Sequence, residues 1–303
     1  MELSDLRVFQ AVAKAGGITQ AAALLHRVPS GVTTRIQNLE ADLGVSLFVR
    51  DGKRLQLSAH GKLLLEYAVR LLGLADEARG ALHEQTPRGV LALGAMESTA
   101  AIRLPRLLGR LHELYPDLAV ELRTGAPRPL TARVLSGELD AALVAEPVSD
   151  ARLHSVLAYV EPLLIIAPLG HPPIRTARDL RSTTLLAFEP DCPHRQRLEA
   201  WCARSQVAPE RIIELGSYHA ILGCCIAGMG VALLPAAVLD TYTERGRLSE
   251  HGLGGSLRSV RTMLISRRDT VQPKVAALAR LLAEQGADEP AAARRGGRRR
   301  PAA

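Results

Sequence analysis

Seven consecutive residues near the amino terminus, Pro29-Ser30-Gly31-Val32-Thr33-Thr34-Arg35, carry an unusual set of groups for the start of a helix. Proline suits a first helical position because its missing N–H has no intrahelical partner there. Ser30, Gly31, Thr33 and Thr34 are short, so the backbone behind them can approach another backbone closely. Arg35 and Gln37 add longer donors. Just beyond, Arg50, Lys53 and Arg54 surround the turn-forming pair Asp51-Gly52. Small hydroxyl residues at a helix start with cations on an adjoining turn fit contacts to phosphates and base edges of a duplex. A solvated helix face would more often carry Glu and Lys, although an ordinary small helical domain with a charged loop is the alternative.

A second set of groups lies farther on. Ser98 and Thr99 follow an apolar strand-like run and open a helix, so their hydroxyls and N–H groups could meet a polar ligand. Thr124-Gly125 ends another strand. Cys192 to Arg195 precedes a helix after a third, and Tyr218 opens one more. Arg195 is the candidate carboxylate clamp, since a guanidinium can hold both oxygens. Against these stand plainer roles: helix capping for Ser98 and Thr99, a core position for Tyr218, a solvated side chain for Arg195.

The elements that position the first set are legible from period. Leu6, Phe9, Val12 and Ala13 follow helical spacing up to Gly16-Gly17. Thr19 can cap a second short helix, TQAAALLH, whose Thr19 and Gln20 join the contact surface. Val32, Ile36, Leu39 and Leu43 give the third helix an apolar face that Gly44 ends. FVRDGKRLQL then reads as a hairpin with a type I′ turn at Asp51-Gly52. Ser58 can cap a helix from about 59 to 84, whose Leu64, Tyr67, Leu71, Leu74, Ala78 and Leu82 approach a heptad seam that either pairs with a twin or packs on its own domain. From Thr86-Pro87 onward, strand and helix signals alternate as in a parallel α/β sheet, where ligands sit at strand carboxyl ends.

Composition bounds the rest. With 303 residues, 47% hydrophobic and 23% charged, the chain can build two or three cores. It has no apolar run of membrane-spanning length, and its amphipathic start carries Glu2 and Asp5, so a cytoplasmic location and no membrane partner are expected. Five arginines against Asp288 and Glu289 in residues 286–303 supply +3 of the formal charge of +7. That tail is expected to be disordered, either solvated or touching DNA non-specifically. Cys192, Cys202, Cys224 and Cys225 show no CxxC spacing, and no metal ligand set, P-loop, GxSxG or strand-following GxGxxG is present, so no catalytic residue, metal or cofactor is expected.

The motifs ITQAAALLHRVPSGVTTRIQ (18–37), LEADLGVSLFVRDGKRLQLSAHG (39–61), LSGELDAALV (135–144) and IAGMGVALLP (226–235) together resemble a LysR-type transcriptional regulator from residue 1 to about 285. The resemblance implies a winged helix-turn-helix at 1–58 and a linker helix at 59–86. It implies an effector domain at 87–285 of periplasmic-binding-protein type 2 architecture, with one subdomain at about 89–163 plus 266–285 and another at about 164–265. It also implies promoter DNA, a small-molecule effector and a homodimer or homotetramer. ESTAAIRLP, DCPHRQRLEAW and GSYHAILGCCIAG further resemble a subgroup regulating putrescine and succinate-semialdehyde catabolism genes. VPSGVTTR departs from the family's usual recognition helix, so no operator sequence carries over. A redox-responsive variant sensing through Cys192 and Cys202 is the alternative signal, although residues ten apart on a continuous helix lie about 15 Å apart, beyond disulfide reach.

Overall fold

The computed structural model describes the chain except residues 52–53, 83–85, 182, 271 and 289–303; at 50, 51, 54, 76–77, 79–82, 256 and 286–288 it describes the backbone alone. The arginine-rich tail thus lies almost wholly outside the described residues. Contacts divide the chain into two units, one holding residues 1–85 and the other everything from Thr86 apart from short turns at 136–138 and 270–272.

The first unit opens with α1 (Leu3–Ala15), which Gly16 ends in the left-handed region at φ 69°. Next come α2 (Ile18–Leu24) and α3 (Pro29–Leu43), with Pro29 in the first turn of α3 as its chemistry requires. Strands β1 (Phe48–Asp51) and β2 (Arg54–Leu57) pair antiparallel with Asp51 opposite Arg54, and α4 (Ala59–Leu82) follows. Leu6, Phe9 and Val12 of α1, Ala21 and Ala22 of α2, Val32, Ile36 and Leu39 of α3, Leu47, and Ala68 and Leu72 of α4 form one core. Ser58 Oγ accepts the Gly61 N–H at 2.9 Å, as expected of a cap. Gly61 tolerates no side chain, because a Cβ there would stand 2.0 Å from the Leu47 carbonyl oxygen.

Two expectations change here. Thr19 is not the cap of α2: Gly17 holds that position and Thr19 falls in the first turn. In the seam expected along α4, Leu64 packs partly into its own domain beside Ala68 and Leu72, while Leu63, Tyr67, Leu71 and Leu74 stay exposed, at 54%, 52%, 38% and 56%.

The second unit runs β3 (Gly89–Ala95), α5 (Glu97–Ile102), α6 (Leu104–Leu114), β4 (Leu118–Thr124), α7 (Pro127–Ser136), β5 (Ala141–Ala145), β6 (Leu153–Pro168), β7 (Thr184–Ala187), α8 (Pro193–Arg204), β8 (Arg211–Glu214), α9 (Tyr218–Ile226), β9 (Ala232–Pro235), α10 (Ala236–Asp240), β10 (Leu248–Gly252), β11 (Ser259–Arg267) and α11 (Pro273–Asp288). Strands β4, β3 and β5 are parallel, and β11 continues the sheet antiparallel between β5 and the first part of β6. The second part of β6 pairs instead with β9 and β10, so this one strand passes through both halves of the unit. β7 and β8 form a parallel pair that meets Val231 through Leu185. All of β5 is buried, the continuous apolar run expected of an interior parallel strand.

The front half of β6 and all of β10 escaped the period-based reading. β11 returns to the first half at Ser259 rather than 266, because its whole length finds partners in β5 and the front of β6. Among the described residues, no helix is long and apolar enough to cross a membrane.

Candidate functional site

In the first unit, the face expected to meet DNA is built on α3. Burial of Val32, Ile36 and Leu39 turns Ser30, Thr34 and Gln37 outward, with Gly31, Thr33 and Arg35 half-buried. Thr33 Oγ1 donates to the Pro29 carbonyl and Thr34 Oγ1 to that of Ser30, both at 3.0 Å, leaving their lone pairs as acceptors toward solvent. Thr19 and Gln20 on α2 are exposed. Arg35 points elsewhere: its Nη1 donates to Ser4 Oγ at 2.8 Å and Asp5 Oδ1 at 2.9 Å, fastening α3 to the start of α1. The sequence reads it as a donor reaching outward, whereas its Nη1 here bonds within the unit. Glu40 Oε1 accepts the N–H groups of Leu47 and Phe48 at 2.6 and 3.2 Å, and Phe48 packs on Phe9 with ring centroids 5.5 Å apart. These contacts orient the hairpin to the same helix. Lys53 and the side chains of Arg50 and Arg54 lie outside the described residues.

In the second unit, four strand ends converge on a cleft of about 190 Å³. β3 delivers Met96, Glu97 and Ser98; β4 delivers Thr124, Gly125, Ala126 and Pro127; β7 leads to Phe188, Glu189, Cys192, Pro193 and His194; and β8 leads to Gly216 and Tyr218. Each segment is a strand's carboxyl end followed by a helix start, the position where α/β sheets bind ligands. Backbone bonds from Gly125 N–H to the Ala95 carbonyl at 3.1 Å and from Leu215 N–H to that of Ala187 at 2.8 Å hold neighbouring ends in register.

Five of the seven effector-site residues expected from sequence line this cleft: Ser98, Thr124, Gly125, Cys192 and Tyr218. Thr99 does not. One residue farther round α5, it turns inward and is 4% exposed. Arg195 does not either. Its Nε donates to Glu199 at 2.8 Å, and its Nη1 donates to the Phe188 carbonyl at 2.9 Å and to Glu214 at 3.1 Å. The side chain is 14% exposed, and its Nε and Nη1 are engaged within α8 and toward Phe188 and β8 rather than in the cleft.

Two groups that the sequence did not single out shape the cleft's electrostatics. His194, 4% exposed, has its Nδ1 buried without a hydrogen-bond partner. Burial, with the Arg197 charge adding, pushes its imidazole down to about 4, so it is neutral at physiological pH. Glu97 has Oε2 buried without a partner, and burial raises its carboxyl while His219 opposes the shift. Burial also drives the Tyr218 phenol well above its ordinary range, with nearby Cys192 adding and a hydrogen bond with Ser98 opposing. Tyr218 stacks edge-on against Phe188 at 4.8 Å. Both groups lie beside expected residues in a helix's first turn, Glu97 next to Ser98 and His194 next to Arg195, and that placement was the available signal.

Cys192 and Cys202 stand at the two ends of the continuous helix α8. Burial raises both thiols, Cys192 despite the nearby N–H groups of Arg195 and His194. A raised thiol is a poor nucleophile and a poor peroxide sensor, so nothing in this geometry favours redox sensing.

Residues 3–62 match the model of the bacterial regulatory helix-turn-helix protein, lysR family, and residues 84–287 match the LysR substrate binding domain. The Bacillus subtilis protein named uncharacterized HTH-type transcriptional regulator YusT is 39% identical over 271 residues, covering 89% of this chain and 91% of its own. The HTH-type transcriptional regulator GltR of the same organism is 34% identical over 272 residues, 89% and 92% of the two chains. A full-length OxyR variant from Pseudomonas aeruginosa aligns with a TM-score of 0.75 at 22% identity, over 93% of this chain and 97% of its own. CbnR bound to its target DNA aligns with 0.65 at 24%, over 94% and 99%. At those identities the structures show a shared fold, and the sequence matches carry the assignment. The chain belongs to the LysR family of DNA-binding transcriptional regulators.

Proposed function

We propose that this regulator binds promoter DNA through α3 and the β1–β2 hairpin as a homodimer or homotetramer, and that a small molecule seated in the cleft of the second unit alters that binding. The observation that carries the effector reading is the cleft itself: four strand ends meet at one cavity, and two of the residues lining it, Glu97 and His194, each hold a buried polar atom without a hydrogen-bond partner. Buried polar groups without partners are costly, and a ligand that satisfies them binds with that cost relieved.

On the DNA side, Thr19, Gln20, Pro29, Ser30, Gly31, Thr33, Thr34 and Gln37 form the contact surface, with Arg50, Lys53 and Arg54 as phosphate contacts and Arg35 holding α3 in place. The exposed row Leu63, Tyr67, Leu71 and Leu74 on α4 supports pairing with a second copy, because such a row on a 24-residue helix otherwise stays in water. A carboxylate-bearing effector, expected on the strength of Arg195, loses that clamp. A carboxylate in this cleft would rest on the first-turn N–H groups of α9, which a helix leaves without intrahelical partners.

Calorimetry of the full-length protein against a metabolite panel, repeated with Thr124→Trp, tests the reading. Binding lost on filling the cleft supports it. Binding of every hit with unchanged affinity removes the cleft from the effector site.

A further inference from the structure

We infer that the ligand of this cleft presents a protonated amine to Glu97. The inference rests on the reading of the cleft as the effector site and adds the chemical class of what enters it.

Consider the charge inventory first. Glu97 and Glu189 are the ionisable carboxylates on the lining, and no lysine or arginine lines it. His219 is the basic group that acts on Glu97, opposing the rise that burial causes. Arg195, which follows the lining residue His194, bonds Glu199, Glu214 and the Phe188 carbonyl. Glu97 is the half-buried carboxyl of this lining, Glu189 being exposed, and an effector that was only an anion would set its charge against Glu97 with no lysine or arginine among the described lining residues to offset it.

Consider next the unmet hydrogen bonds. Glu97 Oε2 is an acceptor with no donor, and neutral His194 leaves Nδ1 without a partner. Two of the helix starts around the cleft offer fewer donors than usual, although α9 keeps its own. Proline at 127, 129 and 193 removes N–H groups from the first turns of α7 and α8. Glu97 Oε2 thus stays without a donor from the protein. An ammonium supplies three donors and the opposite charge.

Three five-carbon probes separate the chemistries: cadaverine carries two amines, δ-aminovalerate one amine and one carboxylate, and glutarate two carboxylates. Calorimetry is run on the full-length parent, on Glu97→Gln, which keeps shape and removes charge, and on Thr124→Trp, which fills the cleft. Thermal melts confirm that each variant is folded. The two amines should bind the parent more tightly than glutarate, lose roughly ten- to a hundredfold in Glu97→Gln as a charge-assisted bond is removed, and be lost in Thr124→Trp. Amines that bind the parent and Glu97→Gln alike but fail with Thr124→Trp keep the cleft and overturn the amine. Probes indifferent to Thr124→Trp overturn the cleft reading itself. Glutarate as the tightest ligand, or no binding of either amine to the parent at millimolar concentration, also overturns the inference.

Discussion

The neutral, buried His194 makes the second unit acid-sensitive in a way that can be isolated. In the folded protein its imidazole titrates at about 4, whereas an unfolded histidine titrates at about 6.5. Unfolding therefore takes up a proton between those values. For a base with a depressed folded pKa, the stabilisation is fully present above about 6.5, falls as the pH drops, and is gone once the pH lies below about 4. At about 1.4 kcal/mol per unit, that window amounts to about 3 kcal/mol, an order-of-magnitude figure for a group with 4% exposure. Trp201, the chain's single tryptophan, sits on α8 with His194, so its fluorescence in urea melts reports this unit. Parent and His194→Asn should show diverging stability–pH slopes between pH 6.5 and 4, the parent losing more. Other groups titrate in the same range, but they are common to both proteins. Parallel slopes would refute the neutral, unpartnered imidazole, and with it part of the cleft's polar complement.

Arg195→Ala should leave effector affinity within twofold of the parent while costing about 1–2 kcal/mol in the same urea melts, since it removes bonds to Glu199, Glu214 and the Phe188 carbonyl; a tenfold affinity loss would restore the clamp. Leu71→Asp with Leu74→Asp places two charges in the exposed row on α4 and should shift the protein toward monomer in analytical ultracentrifugation, with operator affinity falling alongside; an unchanged oligomer would assign the row another role. Arg54→Ala should weaken binding to all DNA sequences alike and lower the salt slope by about one unit. Asp5→Ala should weaken operator binding as Arg35→Ala does, because both free α3 from α1; a loss confined to Arg35→Ala would make the arginine a direct contact.

The helix-turn-helix was legible because its landmarks are local. Gly16, Pro29 and Gly44 each fix a helix end by backbone chemistry, and apolar periods of three and four select the buried faces. The strand-end logic likewise brought Ser98, Thr124, Cys192 and Tyr218 to one cleft from across 121 positions. What failed was side-chain direction decided by distant partners. Arg195 finds Glu214 nineteen residues on, and Arg35 finds Asp5 thirty residues back, so neither commitment shows in local pattern. Thr99 and Ser98 differ by one helical step, and only the packing of α5 says which faces the cavity. Glu97 and His194 went unremarked because their residue types usually mean solvent; their importance comes from burial without partners. Leu64 satisfied the heptad spacing yet serves its own core, because Gly61 lets α4 press onto Leu47 at that end.

The central claim is that occupancy of the cleft governs promoter binding, and the most direct test is a footprint of the protein on its own upstream promoter region. Parent and Thr124→Trp are compared with and without the low-mass metabolite fraction of the cell. The account predicts identical footprints without metabolites, and a change in protected length or affinity that appears in the parent and is absent in Thr124→Trp. A response of equal size in both proteins would contradict it, since the signal would then enter by a route other than the cleft.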